Sequence, residues 1–480
     1  MNLLNLNTPP MKWLLQATYV FTSMAVVSAD EGELSGEGSV PNIIVIMADD
    51  LGWMDLHCYG NERLDTPALD QLAKEGMLFT DAYAAAAVCS PTRAAMMTGQ
   101  APARLHLTNH APGHKAGFSK EGSNLQEAAS VRNLALSYET IGEHLSDAGY
   151  TTAHIGKWHL SYVSPENQGG VSELDLRPEN QGFGVNIGGC FRGGPPSYFA
   201  PYKIPAIKAH EEGEYLPERL ADEAIDFVQK NSEGPFYLNW WPYSVHYPME
   251  AREELIEKYR KRVGPGIKNP IYAAMIEAMD IEIGRFLKAL DEAGLRENTL
   301  VIFNSDNGGY DGDNRPLRGV KGMLYEGGIR VPWIVRWPGK VKPGSRCRTP
   351  IISTDCFPTM MEVAGVALDP KSPSDGQSLL PLLKGSEEFE RDALYWHYPN
   401  YAFHQMNRLG GVVREGDYKL IKRYGDESLE LYHLGNDVGE KKDLSKESPE
   451  LAERLAGKLD AWLKETGAEM PVRSLDEKVE

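Results

Sequence analysis

Asn42-Ile43-Ile44-Val45-Ile46-Met47 is an unbroken apolar run that leads into Ala48-Asp49-Asp50. Nothing polar alternates within it, so it reads as a strand buried on both faces, the mark of a parallel sheet covered by helices. Phe236–Trp241, Leu300–Asn304 and Val331–Trp337 read the same way, and Thr151–Ile155 is a shorter case. Helical segments alternate with these runs. Thr66–Glu75 opens on Thr-Pro, Glu139–Ala148 stops before Gly149, and Pro217–Lys230 sets Leu220, Ala224, Ile225 and Val228 on one face. Ile271–Ala293 repeats Ile271, Met275, Met279, Ile283 and Leu287 at helical spacing and ends at Gly294. The alternation predicts an α/β fold, a large mostly parallel sheet with helices on both sides.

Beyond about residue 385 the pattern changes. Ala393–His397, Gly411–Arg414, Tyr418–Arg423 and Leu429–His433 read as short antiparallel strands, and Glu450–Thr466 as an amphipathic helix. The expected organisation is a catalytic domain over 41–385 and a C-terminal α+β lobe over 386–480. At the other end, Lys12 followed by the apolar stretch Trp13–Ala29 and the small residues Val27-Ser28-Ala29 predicts a signal peptide over 1–29. A Gly/Glu-rich leader over 30–40 follows it. The expected address is exported, periplasmic or secreted, with no membrane span in the mature chain.

The formal charge is −19 over 480 residues. This excludes a broad nucleic-acid-binding face, and an anionic substrate would need a local positive cluster. The cysteines stand at 58, 89, 190, 347 and 356. An odd number in an exported protein leaves at least one unpaired, with Cys89 the outstanding candidate and Cys347–Cys356 an open possibility as a disulfide.

In open parallel sheets, ligands bind beyond the carboxyl ends of the strands. Those ends carry Asp49-Asp50, Ser305-Asp306-Asn307-Gly308, Lys157-Trp158-His159 and His246, with Lys321 in the loop after Asp306. Asp49, Asp50, Asp306 and Asn307 offer hard oxygen ligands. Crowded together without a cation, each close pair of carboxylates would repel by ~4 kcal/mol. All-oxygen ligation suits Ca²⁺, with Mg²⁺ second, rather than zinc. Arg93, Lys157, His159, His246 and Lys321 would make a cationic pocket beside the metal, suited to a tetrahedral oxyanion such as a phosphate or sulfate ester. Cys89-Ser90-Pro91-Thr92-Arg93 adds a potential nucleophile at the start of a helix, with Ser90 as the expected N-cap and Pro91 at the expected first helical position.

Cys89-Ser90-Pro91-Thr92-Arg93 resembles the Cys-x-Pro-x-Arg signature of the type I sulfatases, within the alkaline-phosphatase-like superfamily. The resemblance also includes Asp49–Gly52, Gly156–Leu160, Ser305–Gly309 and Tyr325–Pro332, in the family's order. It implies an alkaline-phosphatase-like α/β/α sandwich. It also implies that a maturation enzyme oxidises Cys89 to formylglycine (3-oxoalanine), which joins Asp49, Asp50, Asp306 and Asn307 around one Ca²⁺. The implied reaction is sulfate ester hydrolysis: one hydroxyl of the hydrated aldehyde attacks sulfur, and Lys157, Lys321 and the metal neutralise the sulfuryl oxygens. His246 would protonate the departing alcohol, and His159 would help remove the second hydroxyl's proton to expel sulfate.

Four variable regions should shape the leaving-group side: Arg104–Ser123 with His106, Asn109, His110 and His114; Gly182–Lys203 with Phe191, Arg192, Tyr198 and Phe199; Asp311–Arg315; and Trp396–His404. Planar aromatics beside hydrogen-bonding groups suit a sugar ring, so a sulfated glycan is the expected substrate, with small aryl sulfates hydrolysed incidentally. Two alternatives remain at this level: a phosphodiester or phosphonate monoester hydrolase of the same superfamily, and a catalytically silent glycan-binding protein.

Overall fold

The computed structural model describes residues 40–115, 117–165, 170–369, 373–386 and 388–473. The signal peptide expected over 1–29, and the leader as far as residue 39, lie outside the described residues. The described residues form one compact unit.

An eight-stranded sheet runs in the order Ser345–Cys347, Met77–Phe79, Trp333–Arg336, Thr299–Ser305, Asn42–Ala48, Phe236–Trp241, Thr151–Gly156, Val185–Ile187. All neighbours pair in parallel except Trp333–Arg336, which is antiparallel to both of its own. The apolar run around it marks burial but carries no direction. The opening strand behaves as its sequence predicts. Ile44 and Ile46 point into a core built with helices Pro67–Glu75, Leu216–Lys230 and Pro270–Glu292. Ile43, Val45 and Met47 point into the opposite core, under helices Cys89–Thr98, Ile141–Asp147 and Cys356–Ala364. Fully burying such side chains on both faces is worth about 1.5–3 kcal/mol each, which is why no polar residue interrupts the run.

Leu394–Tyr398, Gly410–Glu415, Tyr418–Arg423 and Leu429–His433 form an antiparallel sheet in that order. Val413, Leu420 and Leu431 face the helix Pro449–Glu465, while Val412, Ile421 and Tyr432 pack with Val88 and Ala95 around the Cys89 helix. Buried charge also joins this sheet to the rest of the fold: Lys419 Nζ lies 2.9 Å from Glu326 Oε1 and 2.8 Å from Glu440 Oε1.

One local expectation is corrected, and one open question is answered. Ser90 does not cap the helix. Helix Cys89–Thr98 starts at Cys89 after an extended Val88, with no side-chain cap. Ser90 Oγ accepts from the Ala111 amide at 3.1 Å, and Thr92 Oγ1 from the Ala86 amide at 3.0 Å. Loops packed around this buried helix start supply partners that local sequence does not show. All five cysteines are unpaired, so Cys347 and Cys356 form no disulfide.

Candidate active site

Register brings the acidic residues together. Ala48 pairs with Ser305, so Asp49 and Asp306 leave adjacent strands side by side. Gly156 pairs with Trp241, which places Lys157 two strands from Asp49 along the same edge. Oxygens of Asp49 and Asp306 and the sulfur of Cys89 all lie within 4.8 Å of one another. Asp50 and His159 adopt left-handed backbone conformations, with φ of 64° and 61°. Non-glycine residues there cost roughly 1–3 kcal/mol each, a strain typical of sites whose surroundings fix side-chain direction.

Three carboxylates meet three cations at the cavity floor, with Asp50 and Lys321 in its lining and the other two pairs behind them. Arg93 donates from Nε and Nη2 to Asp306 Oδ2 at 2.9 and 2.7 Å, and from Nη1 to the Lys157 carbonyl at 3.0 Å. Lys157 Nζ lies 2.6 Å from Asp49 Oδ2, and Lys321 Nζ lies 2.6 and 2.7 Å from the two oxygens of Asp50. Asn307 Nδ2 donates to Asp50 Oδ1 at 2.9 Å. The repulsion expected from sequence is therefore largely met by these side chains, and a metal has to be argued from something else. That observation is a pair of orphaned oxygens: Asp49 Oδ1 and Asn307 Oδ1 are buried with no hydrogen-bond partner. Burial raises the pKa of Asp49 well above the carboxylate range despite Lys157, with Asp306 and Asp50 adding to the rise. Burial is the strongest influence on Asp306 and opposes its ionisation, but Arg93, Lys157 and Lys321 together hold that pKa down.

Above this floor opens a cavity of about 360 Å³. Of the five cationic candidates, His159, His246 and Lys321 line it, whereas Arg93 and Lys157 sit behind Asp306 and Asp49. Cys89 reaches the cavity from the first residue of its helix, where unpaired amides favour an anion. Burial raises its thiol pKa. His159 Nε2 donates to the Ala111 carbonyl at 2.5 Å, which leaves Nδ1 as an acceptor 3.4 Å from Cys89 Sγ. Burial first, then Lys157, lowers its pKa well below the usual histidine value, so the ring is neutral. His246 Nδ1 donates to the Tyr247 carbonyl at 2.9 Å, and its Nε2 lies 3.7 Å from Asp50 Oδ2. Burial, then Lys321, lowers the His246 pKa to about 3. Gly193 and Gly194 lie flat against these two rings; a Cβ at either would come within 2.7 Å of a ring atom.

The cavity mouth is aromatic, with Tyr247, Tyr310 and Phe403, and His110 is also in the lining. Phe403 is 51% exposed and stands edge-on to Tyr310. Of the four regions expected on the leaving-group side, His110, Ala111, Pro112, Gly193, Gly194 and Phe403 line the cavity, and Asp311 meets it through the Tyr247 hydroxyl at 3.1 Å. Tyr198 and Trp396 are structural instead. The first donates to the carbonyls of Tyr243 and His246, the second to the carbonyl of Ala84. Tyr247 and Tyr310 were not singled out from sequence, although each directly follows a motif residue, His246 or Gly309.

A mostly parallel sheet with buried acids, a buried cysteine at the base of a cavity and basic side chains at its carboxyl edge is the architecture of the alkaline-phosphatase-like hydrolases. The family model described as Sulfatase matches residues 41–366, and a second, described as N-sulphoglucosamine sulphohydrolase, C-terminal, matches 320–466. The chain belongs to the sulfatase family and is a sulfuric ester hydrolase. It is 33% identical over 500 residues to a sulfatase of Formosa agariphila, covering 88% of each chain. It is 34% identical over 412 residues to human arylsulfatase A, covering 79% of this chain and 74% of that one. Among solved structures it is similar to Ps i-CgsB in complex with k-i-k-neocarrahexaose, at TM-score 0.74 and 28% identity, covering 88% and 93% of the two chains. No helix among the described residues is long and apolar enough to cross a membrane.

Proposed function

We propose that this sulfatase is exported, matures by oxidation of Cys89 to formylglycine, and releases inorganic sulfate from a sulfated carbohydrate. The observation that carries the reading is the placement of Cys89 Sγ, 3.4 Å from His159 Nδ1 and among the oxygens of Asp49 and Asp306, at the base of an aromatic-rimmed cavity. A buried thiol with a raised pKa is a poor nucleophile. A formylglycine hydrate at position 89 would instead offer two hydroxyls on one carbon, one as nucleophile toward sulfur and one to release the product.

Asp49, Asp50, Asp306 and Asn307 would hold a divalent cation, Ca²⁺ ahead of Mg²⁺, since the two orphaned oxygens are hard ligands. Such an ion would supply charge neutralisation for the sulfate oxygens and acidify a neighbouring hydroxyl. The protein's own groups have separate tasks. Arg93 positions Asp306, and Lys157 positions Asp49. Lys321, on the cavity wall, binds a sulfuryl oxygen. His159, with its proton fixed on Nε2, is the base beside residue 89. His246 holds the proton for the leaving alcohol; the bound ester's negative charge favours the imidazolium that burial and Lys321 disfavour.

Tyr247, Tyr310 and Phe403 would flank a sugar ring, as a sulfated oligosaccharide partner requires. The structural relative bound to a neocarrahexaose supports a carbohydrate substrate. The test uses protein shown by mass spectrometry to carry formylglycine. It should hydrolyse 4-nitrophenyl sulfate and sulfated oligosaccharides far faster than aryl phosphate diesters or phosphonates. Preference for the phosphorus esters would transfer the chain to the alternative hydrolase class.

A further inference from the structure

We propose that a second cleft, at the flank of the large sheet, binds sulfate groups of a polysaccharide while an ester is cut in the cavity above; this rests on the carbohydrate reading. The cleft holds about 660 Å³ and is lined by Trp53, Arg330, Arg346, Arg348 and Arg414, with Asp81 and Asp417 as its carboxylates. Four arginines facing two aspartates form a local exception in a chain of net charge −19.

Two of the arginines are already committed. Arg330 lies 2.9 Å from Asp81 and 3.1 Å from Glu326, and Arg414 lies 2.9 Å from Asp81. Arg346 and Arg348 are exposed and form no ion pair among the described residues. Arg346 lies in the edge strand Ser345–Cys347 and Arg348 directly follows it; Cys347 between them packs against the core under the Cys89 helix. The two-residue period of a strand therefore sends both guanidinium groups to the other side, into the cleft. Charge on an edge strand also discourages strand-to-strand association. That role needs neither a concave surface nor the half-buried indole of Trp53, over which the Arg330 guanidinium lies at 5.2 Å. An aromatic face beside free guanidinium forks is what a sulfated sugar uses: the ring stacks, and the sulfate takes paired N–H donors.

The position fits one long ligand. Thr80 follows strand Met77–Phe79, and Arg330 precedes the antiparallel strand Trp333–Arg336, so the cleft opens at the same carboxyl edge as Asp49 and Asp306. These strands lie two to four places from Asn42–Ala48, roughly 10–19 Å at ~4.8 Å per strand.

The test compares the formylglycine-bearing enzyme with Arg346→Ala/Arg348→Ala by calorimetric titration of a dextran sulfate oligosaccharide, unsulfated dextran of equal length and poly-L-glutamate. The expected result is about ten-fold weaker dextran sulfate binding by the variant, with 4-nitrophenyl sulfate hydrolysis unchanged within about two-fold, since exposed ion pairs are individually weak but act together here. Unsulfated dextran should bind neither protein. Equal dextran sulfate affinity in both proteins overturns the proposal, as does equally tight binding of poly-L-glutamate. Failure to hydrolyse 4-nitrophenyl sulfate would count against the sulfatase mechanism alone, because the binding comparison is read independently.

Discussion

Arg93 and Asp306 make the sharpest test of how the site is built. Both side chains are fully buried, and two of the three guanidinium nitrogens converge on one carboxylate oxygen at 2.7–2.9 Å. Removing one member of such a pair strands a buried charge, which costs about 3–5 kcal/mol, whereas removing both charges together is close to neutral. Arg93→Met and Asp306→Asn should each lower stability by about that amount. The double variant should recover at least ~2 kcal/mol of the sum, a coupling expected for groups in direct contact. The measurement is urea denaturation followed by tryptophan fluorescence, in the presence of a chelator so that no divalent cation compensates Asp306. Activity should not recover with stability, because the double variant has lost a candidate metal ligand. Simple additivity of the two losses would refute the claim that Arg93 acts through Asp306.

Further outcomes are expected. Cys89→Ser should fold like the wild type and show no steady-state turnover of 4-nitrophenyl sulfate, because a serine can accept sulfate but has no second hydroxyl to expel it; sustained turnover would defeat the formylglycine reading. Lys419→Met leaves Glu326 and Glu440 facing each other in the interior and should cost about 3–5 kcal/mol, read as a shift in the denaturation midpoint. Phe403→Ala removes a half-exposed ring, so stability should change by no more than about 0.5 kcal/mol. KM for a sulfated oligosaccharide should nevertheless rise several-fold at nearly constant kcat; an unchanged KM would remove Phe403 from the substrate contacts.

Most of the large sheet could be read from runs such as Ile43–Met47 and Leu300–Phe303, because burial on two faces demands uninterrupted apolar residues. The short strands Met77–Phe79, Val185–Ile187 and Ser345–Cys347 could not, since three residues carry no recognisable period. The reversed direction of Trp333–Arg336 was equally invisible, because an apolar run looks the same either way. Ser90 looked like a helix cap, yet its hydroxyl serves the distant Ala111 amide.

The amino-acid chain by itself determined which chemistry was available: hard oxygens at strand ends, a cysteine at a helix start, and basic residues in neighbouring loops. Those are properties of residue type and of local periodicity. Only the tertiary structure decided how the charges divide. Lys321 and the two histidines reach the cavity, while Arg93 and Lys157 are drawn beneath it to Asp306 and Asp49. The reason is that a buried carboxylate takes the cation that strand register brings within hydrogen-bonding reach, and register is a relation between segments more than 100 residues apart.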